Sequence, residues 1–362
     1  MRVFDQSIAS KMLSHAKSEI ILDFVKPSNK PCLVILGGQP GSGKSSAIEI
    51  IEDKFNGDIL SLNGDDFKTS YPNYDDLMKV NSLTTAKLVQ PYSDYVVNEL
   101  KKIFAPQRYN IIIEGTMRTT DVPLSTLVEF KNQGYKAEAY VVSSHYYASR
   151  VACLYRCALD WEVNGYGRAV PVESHDEAYQ NIPNTLKVLI ESKLLDDLTI
   201  LSRNGEVLGQ LSNGDDVIAI YCQHRKNLTN QDFEESSSYL NDTLDFVSEK
   251  KDDRQIHEVL ALQKELNTYF IKEHLNTNDK VLDFYEKFAP ELISDVRKDG
   301  KLVVTGINGG TCYLQDNLPN YLNTLLSEVT GHHLPIINTN EANQIIEDKI
   351  QLTLIHTNQN NY

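Results

Sequence analysis

A glycine-rich segment near the N-terminus constrains the fold of this chain more than any other feature. The segment VILGGQPGSGKSS contains the spacing Gly38-x-x-x-x-Gly43-Lys44-Ser45, with an apolar run before it and a helix-type pattern after it. This arrangement is typical of a P-loop, in which backbone N–H groups and a helix N-terminus face phosphate oxygens. The sequence therefore predicts a nucleotide-binding α/β fold.

Each residue type in this loop has a predicted role. Lys44 reaches the β- and γ-phosphates, and the Ser45 hydroxyl ligates Mg²⁺. The other predicted nucleotide-binding residues of the loop are Gly38, Gly41, Ser42, Gly43 and Ser46. The N-K-x-D motif by which GTPases read the base is not evident in the sequence. A small-molecule kinase needs three further features, namely a carboxylate base, an acceptor pocket and cations over the transferred phosphoryl group.

The first 205 residues or so alternate short β-rich runs with longer stretches of helical periodicity. The predicted strands are 32–38, 58–64, 109–115, 137–144 and 196–203, and the predicted helices are 43–55, 84–104, 121–133, 145–160 and 175–193. This alternation predicts βαβ units, and hence a P-loop NTPase-type parallel sheet flanked by helices. Residues 202–221 contain two Asn-Gly pairs between short alternating runs, which predicts a hairpin.

The composition changes after about residue 225. The segments IHEVLALQKELNTYFIKEHL and VLDFYEKFAPELISDV have helical spacing, KLVVTGINGGTCYLQ indicates a strand and a glycine turn, and the polar end IHTNQNNY is expected to fray. We therefore predict a kinase-type domain over 1–224 and a mostly helical C-terminal region over 225–362, to which the sequence assigns no role.

Charge and composition narrow the classes of partner. The formal net charge is −15, which argues against a nucleic-acid partner. No apolar run approaches the roughly 18 residues of a membrane span, and the N-terminus lacks the apolar core of a secretory signal. The five scattered cysteines fit a reducing compartment, and Cys153 and Cys157 indicate packing rather than a metal site. The prediction is a cytoplasmic protein that binds no membrane.

Two carboxylates follow the predicted second strand, in the tetrapeptide Asn-Gly-Asp-Asp. In a parallel sheet this strand end lies beside the P-loop, so either Asp65 or Asp66 is a candidate general base. The alternative is a helix N-cap. Glu114, Thr116 and Arg118 end another strand at the same edge. Glu114 is a candidate for contact with a metal-bound water or a sugar hydroxyl, and Arg118 is a candidate for contact with a phosphate.

Two arginines are candidates for holding the transferred phosphoryl group. Arg156 lies in a helix-like stretch, and Arg168 follows WEVNGYG, a glycine-bearing loop able to act as a lid. A second Asn-Gly-Asp-Asp occurs at 213–216, between two alternating runs and with no P-loop before it. Asp215 and Asp216 are therefore predicted to be hairpin residues.

Eight stretches between about residues 30 and 210 form an ordered set. They are LGGQPGSGKSS, NGDDFKTSYPNYDDL, VQPYSD, IIIEGTMRTTDVPLST, NQGYKAEAYVV, LYRCALD, GYGRAVPVESHDEAY and NIPNTLKVL. In this order and spacing they resemble the zeta toxin family, the P-loop kinases of bacterial toxin–antitoxin modules. The resemblance implies ATP or GTP with Mg²⁺ as cofactors, and a possible cognate antitoxin as partner.

The resemblance also implies a reaction and a role for each matching residue. Members phosphorylate the 3′-hydroxyl of the amino sugar in UDP-N-acetylglucosamine, which blocks its use in peptidoglycan synthesis. By this match, Lys44 and Ser45 are the nucleotide and Mg²⁺ residues of the P-loop, Asp65 is the base, and Arg156 and Arg168 hold the nucleotide phosphates. The catalytic hypothesis that follows is that Asp65 deprotonates the hydroxyl while Lys44 and Arg118 act on the transferred group. The implied acceptor-site residues are Glu114, Thr116, Arg118, Thr126 and Asn98.

The chain departs from the family pattern at three acceptor-side positions. Asn63 stands where the family has the first aspartate of Asp-x-Asp, Tyr71 stands where it has a histidine, and Asn98 stands where it has a glutamate. The reaction type is therefore indicated more firmly than the acceptor. A P-loop kinase of another acceptor, such as a dinucleotide or an antibiotic hydroxyl, and a non-catalytic nucleotide-sensing module stay open as alternatives.

Overall fold

The computed structural model describes residues 4–20, 25–250 and 252–275, together with 296–297, 301–305, 311–314 and 336–337. The chain divides into two compact units, Met1–Phe246 and Val247–Tyr362. The sequence-based boundary between 224 and 225 stays a prediction.

The first unit is built on a six-stranded sheet. Its strands are β1 (Cys32–Gly37), β2 (Leu60–Leu62), β3 (Ile111–Glu114), β4 (Lys136–Ser143), β5 (Asp197–Ser202) and β6 (Val207–Gln210). Their order is β2-β3-β1-β4-β5-β6; the first five are parallel, and β6 runs antiparallel to β5. All five predicted strands are present, and the predicted parallel α/β fold is confirmed.

The described helices lie before, between and after these strands. They are α1 (Gln6–Glu19), α2 (Lys44–Lys54), α3 (Tyr74–Val80), α4 (Ser82–Phe104), α5 (Asp121–Lys131), α6 (Tyr146–Asn164), α7 (Val172–Glu191), α8 (Val217–His224), α9 (Asn230–Glu249) and α10 (Asp253–Leu275). The five predicted helices correspond to α2, α4, α5, α6 and α7. None of these described helices is both long and apolar enough to cross a membrane.

The central strand β1 shows how the sheet is covered. Leu33 and Ile35 belong to a large apolar cluster, whereas Val34 and Leu36 belong to a second one. Because successive side chains of a strand point to opposite faces, the two clusters cover the two faces of the sheet. This double coverage explains why β1 is a continuous apolar run. The polar residues that follow the strands lie at the edge of the sheet formed by the carboxyl ends of the strands.

The second Asn-Gly-Asp-Asp does not form the predicted hairpin. The first Asn-Gly pair, Asn204-Gly205, does turn β5 into antiparallel β6, but Val217–His224 is helix α8 rather than a strand. The Asp216 side chain accepts a hydrogen bond from the N–H of Ala219, as an N-cap does. The side chain of the neighbouring Asp215 accepts a hydrogen bond from the N–H of Gln210. The prediction of a strand there was wrong because a capped helix overrides a short alternating pattern.

The second unit contains α10 and four short strands. The strands β7 (Val296–Arg297), β8 (Lys301–Thr305), β9 (Thr311–Leu314) and β10 (Ile336–Ile337) form a separate sheet in the order β10-β9-β8-β7. The predicted helical character of the C-terminal region is confirmed over α9 and α10, and the predicted strand in KLVVTG is β8. The helix expected from VLDFYEKFAPELISDV and the polar end lie essentially outside the described residues.

Candidate active site

The carboxyl ends of β2, β3 and β1 lie side by side, and charged residues meet there. The Lys44 amine, on the first turn of α2, donates to the backbone oxygens of Gly38 at 3.0 Å and Gln39 at 3.3 Å. It lies 3.9 Å from a Glu114 carboxylate oxygen at the end of β3. Burial lowers the pKa of Lys44 and raises the pKa of Glu114, and each group opposes the shift of the other.

Two glycines give the P-loop its close turn. Gly41 has φ of +75°, and a β-carbon there would lie 2.1 Å from the backbone oxygen of Ser149 on α6. Gly43, the residue before α2, has φ of +95°, and a β-carbon there would lie 2.7 Å from the backbone oxygen of Arg203. Side chains are excluded at both positions. The loop therefore packs directly on the backbone that follows β4 and β5.

Buried hydrogen bonds hold the P-loop from behind. The Gln39 amide donates to the backbone oxygen of Ser144 at 3.0 Å and to the Ser149 hydroxyl at 3.3 Å. Ser149 in turn lies 2.9 Å from a ring nitrogen of His175. Ser42 is buried, and its N–H donates to the Gln39 oxygen. These contacts fix the loop's shape and leave exposed Ser45 and half-buried Ser46 at the open start of α2.

The loop after β2 presents Asp65 to the same edge. The Asn63 side chain accepts the Asp65 N–H at 3.0 Å, and the Ser93 hydroxyl on α4 donates to the Gly64 oxygen at 2.6 Å. The Lys68 amine lies 2.6 Å from Asp65 Oδ1. The Asp65 side chain is not used as a helix cap, so its carboxylate is available for chemistry.

Neighbouring charges distinguish Asp65 from Asp66. Desolvation is the largest single influence on the pKa of Asp65 and works to raise it. The charge and hydrogen bond of Lys68, with the charges of Arg156 and Arg168, outweigh desolvation, so this pKa lies below its usual value. Desolvation and the charge of Asp65 raise the pKa of Asp66. Asp65 is therefore the more readily ionised member of the pair.

The two predicted phosphate arginines act on this cluster from α6 and the loop after it. Arg156 is an exposed residue of α6, and its charge favours the deprotonated forms of Lys44 and Glu114. Arg168 donates from two nitrogens to the carboxylate of Asp160, at 2.8 and 3.2 Å. Both arginines thus belong to the electrostatic environment of Asp65.

The predicted lid loop is attached on two sides. Gly165 caps the C-terminal end of α6 in a left-handed conformation, with φ of +72°. The Tyr166 hydroxyl then donates to Asp75 Oδ1 of α3 at 2.8 Å, and the rings of Tyr166 and Tyr74 pack edge to face. Since Arg168 is bound to Asp160 of α6, the loop links α3 to α6.

The predicted acceptor residues are less tightly grouped. Thr116 is half-buried beyond β3, and Arg118 lies 3.5 Å from Glu177 of α7. Thr126 is buried in α5, and Asn98 is exposed on α4. The structure thus brings Lys44, Asp65, Glu114, Arg156 and Arg168 into one charged cluster, whereas the described contacts do not link Arg118, Thr126 or Asn98 to it.

Three residues of the site were not predicted from the sequence. Lys68 pairs with Asp65, Asp160 holds Arg168, and Ser93 holds the loop at Gly64. The i to i+3 spacing of Asp65 and Lys68 was a usable signal, since a turn brings such residues together. The other two contacts depend on how loops return to helices, which no local pattern encodes.

The donor set of the site fits a magnesium ion brought by a nucleotide. Among the described residues, no group of three or more His, Cys, Asp or Glu side chains could hold a metal by itself. The available ligands are the exposed Ser45 hydroxyl and the nearby carboxylates, all of them oxygen donors. Magnesium is usually bound in this way, through one or two protein oxygens together with substrate phosphates and water.

Comparison with known proteins gives matches in the same part of the chain. The family model described as zeta toxin matches residues 18–213, just over half of the chain. Toxin zeta of Streptococcus pyogenes is 32% identical over 188 residues, which cover 52% of this chain and 66% of that protein. Toxin PezT of Streptococcus pneumoniae serotype 4 is 29% identical over 180 residues, covering 49% of this chain and 71% of PezT. The chain therefore spans slightly less than two thirds of the toxin zeta relative.

A solved structure has a fold similar to that of this chain. It comes from the PezAT chromosomal toxin–antitoxin system of Streptococcus pneumoniae and matches with a TM-score of 0.60. The match covers 67% of this chain and 99% of the other, at 22% sequence identity. At this identity the likeness concerns the fold alone.

Proposed function

We propose, from the premise that the chain belongs to the zeta toxin family, that it is a small-molecule kinase. Its proposed reaction transfers the γ-phosphoryl group of ATP or GTP to the 3′-hydroxyl of the amino sugar of UDP-N-acetylglucosamine. The observation that carries the proposal is the charged cluster at the edge of the sheet. There an ionised carboxylate, Asp65, shares its surroundings with the P-loop amine of Lys44 and with two arginines.

In this proposal Asp65 accepts the proton of the acceptor hydroxyl. Lys68 contacts Oδ1, so Oδ2 is the oxygen that takes the proton. The hydroxyl oxygen then forms a bond to the γ-phosphorus as the bond to the leaving nucleoside diphosphate breaks. Positioning and charge stabilisation provide most of the catalysis in phosphoryl transfer. Lys44, Arg118, Arg156 and Arg168 are the proposed cations for the transferred group.

A magnesium ion, when bound with the nucleotide, supplies further positive charge at the β- and γ-phosphates. Ser45 is its proposed protein ligand. The proposed nucleotide-binding residues also include Ser46 and the glycines of the loop. On the acceptor side, Glu114, Thr116, Thr126 and Asn98 are the proposed contacts.

The family membership also supports a biological role. The relatives are toxins, and the matching solved structure comes from a toxin–antitoxin system. We propose that this chain inhibits growth by depleting a precursor of the cell wall, and that a cognate antitoxin restrains it. Because its proposed acceptor is a cytoplasmic metabolite, we propose that it acts in the cytoplasm.

A direct assay with a matched pair of variants tests the reaction. Purified full-length protein is incubated with Mg-ATP and UDP-N-acetylglucosamine, and the product is identified by mass spectrometry and ³¹P NMR. General-base catalysis contributes roughly 10²- to 10⁴-fold, so Asp65→Asn is expected to lose about that much turnover. Asp66→Asn, its neighbour of the same size, is expected to keep turnover within about tenfold. Absence of phosphorylated sugar nucleotide, or equal loss in both variants, contradicts the proposal.

A kinase with a different acceptor is the second candidate. Tyr71, which replaces the family histidine, is buried, and its ring packs against the edge of Tyr92 at 5.1 Å. A residue used in core packing contributes less to acceptor recognition. A screen of cell extract with labelled ATP decides between the two: preferred labelling of another metabolite, lost in Asp65→Asn, supports the second candidate.

A further inference from the structure

A chain of hydrogen bonds runs from the start of α7 to the back of the P-loop. The Asp176 carboxylate oxygen Oδ1 lies 3.0 Å from Nδ1 of His175. The other ring nitrogen, Nε2, lies 2.9 Å from the Ser149 hydroxyl of α6, and the Gln39 amide donates to that hydroxyl at 3.3 Å. Asp176, His175 and Ser149 therefore have the residue types and the contact order of a Ser-His-Asp catalytic triad.

Burial excludes a nucleophilic role for this serine. Ser149 and His175 both have an exposed fraction of 0%. The P-loop lies directly on Ser149, since a β-carbon on Gly41 would lie 2.1 Å from the Ser149 backbone oxygen. A substrate would have to displace the loop to reach the hydroxyl. The three side chains therefore act as fixed hydrogen-bonding groups behind the loop, and the structure of the loop is what they can influence.

The carboxylate of Asp176 sets the direction of every bond in the chain. An ionised carboxylate only accepts hydrogen bonds, so Nδ1 of His175 carries a proton. Burial lowers the pKa of His175, so the ring is neutral near pH 7 and Nε2 is an acceptor. The Ser149 O–H then donates to Nε2, while its oxygen accepts from Gln39. All three bonds point from the P-loop toward the carboxylate.

The bond between Gln39 and Ser149 depends on the bond between Ser149 and His175. A hydroxyl that donates to a good acceptor becomes a better acceptor itself, and this effect is largest where water is excluded. Without the imidazole, the Ser149 O–H has the backbone oxygens of His145 and Tyr146 as acceptors, both at 3.0 Å. The His145 oxygen already accepts the N–H of Ser149. Loss of the ring is therefore expected to weaken the hold of Ser149 on Gln39.

Gln39 converts this support into the shape of the loop. Its buried side chain is held through the amide nitrogen, which donates to the Ser144 backbone oxygen and to the Ser149 hydroxyl. Its side-chain oxygen has no hydrogen-bond partner among the described residues. Its backbone oxygen accepts the N–H of Ser42 at 3.1 Å and lies 3.3 Å from the Lys44 amine. One of the two bonds that fix this residue thus comes from Ser149.

Helix α7 also supports the segment that follows β3. The Asn181 amide donates to the backbone oxygen of Arg118 at 3.2 Å, and the Thr185 hydroxyl donates to that of Met117 at 3.1 Å. The helix follows the predicted lid loop in the chain. A single helix therefore contacts the P-loop support through His175 and the end of β3 through two further side chains.

We propose that His175 is a positioning residue for the P-loop, which it holds through Ser149 and Gln39, and that Asp176 keeps its ring in the tautomer that this requires. The inference rests on the nucleotide-binding part of the proposed function and adds to it residues buried behind the loop. The ligand whose binding it affects is the phosphate chain of the donor. The role does not depend on which hydroxyl accepts the phosphoryl group.

Binding of Mg-bound inorganic triphosphate to full-length protein, measured by calorimetry, tests the proposal. His175→Phe keeps a ring without its nitrogens, and Ser149→Ala removes the hydroxyl. Each is expected to weaken binding by about 3- to 10-fold, the effect of one hydrogen bond. His175→Gln places an amide oxygen near the position of Nε2 and is expected to restore binding to within about twofold of wild type. Because the residues act in series, Gln39→Met combined with His175→Phe is expected to bind no more weakly than Gln39→Met alone.

A control variant separates this role from a general loss of stability. The buried Tyr135 hydroxyl contacts the backbone oxygens of Ala105 and Tyr109 at 3.0 and 2.9 Å, at the opposite end of β4. Tyr135→Phe is expected to lower stability and to leave triphosphate binding unchanged. Equal weakening in Tyr135→Phe, or wild-type binding in both His175→Phe and Ser149→Ala, overturns the proposal.

The outcomes also distinguish this inference from the proposed reaction. If the variants bind triphosphate as expected but no sugar nucleotide is phosphorylated, the positioning role stands and the proposed reaction falls. If the sugar nucleotide is phosphorylated but the effects of Gln39→Met and His175→Phe multiply, the reaction stands and the positioning role is overturned. If wild-type protein binds no triphosphate, both are overturned.

Nitrogen NMR of the imidazole tests the same role in the wild-type protein. The full-length chain is labelled with ¹⁵N-histidine, and the His175 signals are assigned by their absence in His175→Gln. The expected result is a neutral ring protonated at Nδ1, with an Nε2 signal that shifts when Mg-triphosphate is added, because the loop and the ring share Ser149. A ring protonated at Nε2, or an Nε2 signal that does not move at saturation, overturns the proposal.

Discussion

The pairing of Lys68 with Asp65 makes a quantitative prediction about the pH dependence of catalysis. A carboxylate base is active when it is deprotonated, so activity falls as the pH drops through its pKa. Lys68 holds the pKa of Asp65 low. Replacing this lysine by methionine keeps the length of the side chain and removes the charge. The pKa of Asp65 is then expected to rise, and the acid limb of kcat/KM is expected to move to higher pH.

The geometry sets the size of this shift. The two charged atoms are 2.6 Å apart, and the Asp65 side chain is 59% exposed. Water reaches the carboxylate, but the Lys68 side chain is only 15% exposed and burial also acts on Asp65, so the dielectric constant of bulk water gives the lower bound of the attraction, about 1.6 kcal/mol. That energy corresponds to about one pKa unit. The acid limb of Lys68→Met should therefore lie at least about one pH unit above that of the wild type.

The assay is the rate of phosphoryl transfer to UDP-N-acetylglucosamine from about pH 2.5 to about pH 8, at subsaturating acceptor, because the wild-type acid limb lies below the usual pKa of an aspartate. Lys68→Arg is the matched control, since it keeps the charge and should leave the acid limb in place. A ¹³C NMR titration of the Asp65 carboxylate gives the same pKa without depending on turnover. If the NMR pKa rises in Lys68→Met while the acid limb stays where it was, Asp65 is not the group whose ionisation limits the reaction. If neither moves, the electrostatic argument itself is refuted.

Three further substitutions test separate parts of the structure. Gly41→Ala places a β-carbon against the Ser149 backbone at a residue with positive φ. It should therefore lower the free energy of unfolding by about 2 kcal/mol or more. An unchanged denaturation midpoint would contradict the described conformation of the loop. Asp216→Ala removes the N-cap of α8 and should lower the free energy of unfolding by about 1 kcal/mol, measured by thermal denaturation, with phosphoryl transfer unaffected. A variant as stable as the wild type would argue against the cap. Asp160→Asn removes the charge that holds Arg168 and should lower kcat/KM by about fivefold, or about 1 kcal/mol; wild-type kinetics would show that this contact does not position the arginine.

The sequence was sufficient for the framework because the framework depends on local patterns. An apolar run before a glycine loop and a helical pattern after it locate β1 and α2, and alternation of the two periods yields a parallel sheet. The same reasoning placed Asp65 and Glu114 at one edge, since the carboxyl ends of neighbouring parallel strands meet. Helix α3 was missed because it is a seven-residue helix within a turn-rich segment. The partners that hold the loops in place are distant in sequence, as Ser93 is from Gly64.

The two copies of Asn-Gly-Asp-Asp show where local reasoning ends. Both copies form turns, and both use an aspartate for a local contact. The second copy begins a helix, and its carboxylates are used by backbone N–H groups of Gln210 and Ala219. In the first copy the Asp65 carboxylate makes no capping bond and instead pairs with a lysine side chain. A backbone hydrogen bond uses a carboxylate for structure, whereas a side-chain ion pair at a solvent-exposed edge exchanges readily with a substrate. The two copies therefore differ chemically in the partners of their aspartates. For this reason we assign the proposed catalytic role to Asp65 and a structural role to Asp215 and Asp216.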